Sequence, residues 1–78
     1  MDRPYRTEDE ARELVERRFK ELSKDIPEDK RGKVKSKFNE WITEDVIKAL
    51  TYEDEDEAVE DIDDVFNSAL EYIKENDQ

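Results

Sequence analysis

The sequence predicts an all-α protein: a small bundle of three main helices with a short fourth inserted after a break near residue 43. Three observations predict it. Apolar residues recur at i, i+3, i+4 and i+7 along most of the chain. Capping residues stand just ahead of those runs. Only one Gly and two Pro punctuate 78 residues, and few β-branched runs favour strands.

The first run has a defined start. Thr7 with Glu10 three residues later makes a capping box, and Glu8 and Asp9 place negative charge at the positive end of the helix dipole. Ala11, Val15, Arg18, Phe19 and Leu22 then share one face, with Leu14 at its margin. Arg18 belongs to that stripe through its methylenes, its head reaching water. The helix is predicted over 8–24, because Pro27 pushes Ile26 out of the α region.

Pro27 suits the first position of a second helix, with Glu28 and Asp29 in its first turn. Val34, Phe38, Trp41 and Ile42 form the apolar face of a helix over 28–42, in which Gly32 sits early and is able to loosen or kink it or to delay its start to Lys33. At 100° per residue, Val46, Ile47 and Leu50 are rotated well away from that face. A break near Thr43 follows, with Thr43 capping a short helix over 44–50; a single kinked helix is the alternative. In the last segment Thr51 with Asp54 resembles a capping box. Ala58, Val59, Ile62, Val65, Phe66, Ala69, Leu70 and Ile73 carry the helical template through a helix over 53–75. These elements would close around roughly twenty apolar side chains as one domain over 1–78.

Half of the residues are charged and the net charge is −11. The imbalance is local. Residues 1–50 carry 13 acidic and 13 basic side chains, whereas residues 51–78 carry 12 acidic side chains and one basic, Lys74. The absence of Cys removes disulfides and thiolate chemistry. No His is present to act as a general base near neutral pH, and Ser23, Ser36 and Ser68 lack an evident activating base. An enzyme is not expected. Neither is a cofactor or a metal site: Asp54–Glu57 offers oxygen ligands without a calcium-type loop. No apolar window approaches a membrane span, and the acidic residues of MDRPYRTEDE do not suit a signal peptide. A soluble cytoplasmic protein is the expectation.

The acidic helix is the expected working surface. On a helical wheel Glu53, Glu57, Glu60, Asp64 and Glu71 lie opposite Ile62, Phe66 and Ile73, flanked by Asp56, Asp61, Asp63 and Glu75. Like charges three or four apart cost a helix a few tenths of a kcal/mol per pair, and those beyond the first turn are not offset by the dipole. Either the face merely keeps the chain soluble, or it docks on a basic partner. A row of carboxylates on a rigid rod can imitate the phosphates of a nucleic-acid strand. In charge and size the chain resembles small acidic phage proteins that disarm host nucleases or CRISPR effectors. That resemblance implies an inhibitor acting as a nucleic-acid mimic on a basic, nucleic-acid-handling protein.

The alternatives are an immunity-type or regulatory adaptor protein with Tyr52 and Tyr72 as aromatic anchors, and a self-associating subunit. In the latter, a homodimer, the basic cluster Lys30, Arg31, Lys33, Lys35 and Lys37 of one copy meets the acidic helix of another. Those five residues spread around their helix, and Phe38 and Trp41 lie on its apolar face. The cluster is therefore not expected to bind nucleic acid directly.

Overall fold

A computed structural model describes residues 3–76; Met1, Asp2, Asp77 and Gln78, the ends of the expected 1–78 domain, lie outside the described residues. It consists of α1 (Glu8–Leu22), a 3-10 turn (Ser23–Asp25), α2 (Glu28–Trp41), α3 (Glu44–Thr51) and α4 (Glu55–Asn76). The chain is an all-α bundle, with no strand among the described residues. α4 packs against both α1 and α2, and the short α3 packs against α1.

Local chemistry accounts for most helix ends. The Thr7 hydroxyl accepts from the Glu10 backbone N–H at 3.1 Å, and the Glu10 carboxylate accepts from the Thr7 N–H at 3.0 Å. These hydrogen bonds hold the Glu10 carboxyl below its usual range. α1 is shorter than expected, because residues 23–25 tighten into the 3-10 turn before Ile26 extends at φ −91° and ψ 132°. Pro27 precedes α2 instead of opening it, and its carbonyl accepts from Arg31 N–H at 2.9 Å. α2 starts at Glu28 and continues through Gly32, so the glycine does not delay its start. The break falls at Ile42–Thr43, where the Thr43 hydroxyl accepts from Val46 N–H.

The start of α4 departs from expectation. Thr51 does not cap it: the residue is buried in the last turn of α3, and its hydroxyl donates to the Lys48 carbonyl at 2.6 Å. Asp54 caps instead, its Oδ1 accepting from Glu57 N–H at 2.8 Å. α4 therefore begins at Glu55, two residues later than predicted, which leaves Glu53 in the α3–α4 connection.

Three phenylalanines meet at the centre. Phe19 of α1 lies 5.0 Å from Phe38 of α2 and 5.6 Å from Phe66 of α4, ring centre to ring centre, and Phe38 lies 6.2 Å from Phe66. Tilted and edge-on pairs of this kind add about 0.5–1.5 kcal/mol each beyond area burial. Val34, Phe38, Ile47, Leu50 and Ile62 are fully buried, each worth about 1.5–3 kcal/mol. On α4 the buried line is Ala58, Ile62, Phe66 and Ala69, with Val65, Leu70 and Ile73 half-buried beside it. This narrow buried line leaves the opposite side of a 22-residue helix to solvent. Among the described residues no helix is long and apolar enough to cross a membrane.

Candidate functional site

The outer side of α4 gathers most of the carboxylates singled out by the helical wheel. Asp56, Glu57, Glu60, Asp61, Asp64 and Glu71 are all exposed, and none makes an ion pair among the described residues. Glu57, Glu60, Asp61 and Asp64 stand on two successive turns, at uneven intervals of about 4.5, 1.5 and 4.5 Å along the axis. Their average density, one carboxylate per roughly 3.5 Å, is near that of the phosphates along one strand of B-form DNA, one per roughly 3.4 Å. The row then thins, with Asn67 and Ser68 ahead of Glu71.

Two of the eight expected residues have other roles. Asp63 accepts from Arg18 Nε at 2.7 Å and from its Nη2 at 2.9 Å, a two-pronged bond that joins α4 to α1. Arg18 also donates to Glu21 at 3.0 Å. The Asp63 hydrogen bonds raise the Arg18 pKa above the ordinary arginine value. Both partners are about 30% exposed (29% and 31%), so the pair is half-shielded from water. Arg18, expected to reach solvent, instead uses its head to fix the angle between the two helices.

Glu53 is the second. It is half-buried at the α3–α4 corner, and its Oε1 is enclosed without a hydrogen-bond partner. Burial, reinforced by hydrogen bonding to Asp61 and the charges of Asp61 and Glu57, pushes its carboxyl up to about 7, against the pull of Arg6. Arg6 holds this corner together: its Nη1 donates to the carbonyls of Leu50 and of Glu53, the latter at 2.9 Å. Beside it Tyr5 N–H donates to the Thr51 carbonyl at 2.6 Å. These bonds satisfy carbonyls that the end of α3 would leave open.

The exposed aromatics divide as well. Tyr5 and Tyr52 are 67% and 59% exposed at this same corner. Tyr72, 41% exposed, packs edge-on against Trp41 at 5.8 Å and lies under the Lys37 ammonium at 4.4 Å. Tyr52 thus remains open as an anchor, Tyr72 is partly engaged, and Tyr5 joins the set without having been singled out by the sequence.

The basic cluster does not act as a unit. Lys37 pairs with Glu40 at 3.1 Å, and Arg31 donates to the Ile26 carbonyl at 3.1 Å. Arg31 and Lys35 instead line a groove with Arg17, Lys20 and Lys24 from the α1 side. The even balance of charge over residues 1–50 conceals this groove. The i, i+3, i+7 spacing of Arg17, Lys20 and Lys24 was the available signal.

No known protein family, characterised protein or solved structure matches this chain.

Proposed function

We propose that this is a non-enzymatic cytoplasmic binding protein. It acts as an inhibitor that presents the outer face of α4 to a basic, nucleic-acid-handling protein in place of that protein's nucleic acid. The observation that carries the reading is the run of exposed carboxylates Glu57, Glu60, Asp61 and Asp64 on one helix, none of them in an ion pair among the described residues. A chain with 14 basic side chains has ample means to neutralise them, yet among the described residues of α4 only Asp63, at the edge of the run, is in an ion pair. Their mutual repulsion gives the isolated fold nothing and is relieved when a cationic groove closes over them. In charge and size alone the chain resembles small acidic phage antagonists of nucleases and CRISPR effectors.

Affinity capture with the native chain and with a Glu57→Lys, Glu60→Lys, Asp64→Lys triple variant tests this directly. The native chain retains a basic protein that nucleic acid displaces and that raised salt releases; the triple variant, still helical by circular dichroism, does not. A Glu8→Lys, Glu13→Lys variant is the matched control. A ternary complex of this chain, its partner and nucleic acid at the same site would overturn the mimicry. Loss of binding in the control but not in the triple variant would overturn the choice of face.

One observation favours a second reading, an immunity-type or adaptor interface. Tyr5 and Tyr52 stand exposed beside the acidic start of α4, which suits an interface with aromatic anchors at its centre. In that case Tyr52→Ala weakens binding more than the triple charge reversal does.

A further inference from the structure

On the side of the molecule that no α4 residue lines, α1 and α2 leave between them a groove of about 830 Å³. Arg17, Lys20 and Lys24 stand on one wall, Arg31 and Lys35 on the other, and Phe19 lies at the floor. The two acids of this groove are Glu21, already held by Arg18, and Glu28. Arg17, Lys20, Lys24 and Lys35 make no ion pair among the described residues. Arg31 Nε is buried with no hydrogen-bond partner, an unusual state for a donor that has no other way to be satisfied. Five cations from separate elements thus gather around one groove whose own lining carries two acids.

From this we infer that the α1–α2 groove binds a compact polyphosphate, the phosphate chain of a nucleoside triphosphate or of an inorganic polyphosphate.

Size and shape favour this over an acidic protein segment. The cations span residues 17–24 on one wall, about 10 Å along the helix, and 31–35 on the other, about 6 Å, a stretch that suits a few linked phosphates. Further along α1 the groove passes Glu13 and Glu16, so positive potential ends there. A docked helix needs apolar anchors at i, i+3, i+4 and i+7 over several turns; the cationic stretch offers Phe19 alone. The volume lies within the range of small-ligand sites. Arginine forks and lysine ammoniums on two walls match the charged oxygens of a short phosphate chain.

The test is calorimetric titration of the whole chain with inorganic tripolyphosphate, followed by amide chemical-shift mapping. Saturable one-to-one binding is expected, with shifts confined to residues 17–35. Lys20→Gln with Lys35→Gln, two exposed positions whose replacement does not disturb the core, weakens binding by tenfold or more, and Arg31→Gln by about tenfold. Arg12→Gln with Lys48→Gln, the same loss of charge elsewhere, leaves it within about twofold. Adenosine triphosphate then separates the sources: affinity equal to that of tripolyphosphate assigns the site to the phosphate chain, and tighter binding assigns it to a nucleotide. Non-saturable binding, shifts spread over every lysine, or equal weakening in the control pair overturns the proposal. So does binding of a polyglutamate peptide in the groove when tripolyphosphate does not bind. None of these outcomes depends on the α4 face.

Discussion

Replacing Glu53 with Gln should stabilise the protein at neutral and alkaline pH and leave it nearly unchanged in mild acid. The folded chain holds the Glu53 carboxyl at about 7, against 4.5 for an ordinary glutamate. Below about pH 4.5 both the folded and the unfolded chain keep the proton, and the group contributes no difference. Between 4.5 and 7 the unfolded chain releases it while the folded chain keeps it, so stability falls as pH rises; above 7 the penalty is complete and constant. The shift sets a ceiling of about 3 kcal/mol. Because Glu53 is only half-buried, solvent screening reduces this to about 1–2 kcal/mol. For a domain of this size that corresponds to roughly 5–10 °C in melting temperature. Gln keeps the shape, removes the charge facing Asp61 and Glu57, and supplies an amide that can donate to Asp61. Thermal melts of both proteins followed by circular dichroism at pH 4.5, 6 and 8 read the effect as a difference that grows with pH. A difference of the same size at all three values, or one largest in acid, would refute the account of this corner.

Gly32→Ala should raise stability by about 0.5–1 kcal/mol in urea unfolding, since Gly32 is an exposed helical position with nothing within 4 Å of an added methyl and no positive φ. Asp63→Asn should lower it by about 1 kcal/mol by weakening the Arg18 fork, with the loss shrinking as salt is added. Added salt should stabilise the native chain at neutral pH, because the unpaired α4 carboxylates outnumber the ion pairs and their repulsion is screened over about 8–10 Å. A steady fall in melting temperature on adding salt would show attractive pairs to dominate instead.

Much of the fold and part of the candidate site were legible in the chain because they depend on neighbours three or four residues apart. The Thr7–Glu10 box, the break at Thr43, the burial of Phe38 and the outward turn of Glu57, Glu60, Asp61 and Asp64 all follow from the 100° step of a helix. The end of α3 was less legible. Whether Thr51 closes one helix or opens the next depends on Tyr5 and Arg6, over forty positions away, which satisfy the carbonyls of Leu50, Thr51 and Glu53.

By itself, then, the sequence determined the helical faces and the location of the charge excess, since each is a property of local spacing; the structure decided that residues 28–51 form two helices and not one kinked helix. Tertiary structure alone decided which charges stay unpaired. Asp63 lies 45 positions from Arg18 and is removed from the acidic face by it. Glu53 is forced toward neutrality by burial at a corner. Arg17, Lys20 and Lys24 become one site with Arg31 and Lys35 only because α1 and α2 lie side by side. The physical reason is common to all three. A side chain's position around its own helix is set by sequence spacing, but the group that faces it across the gap is set by how the helices pack, which no local pattern records.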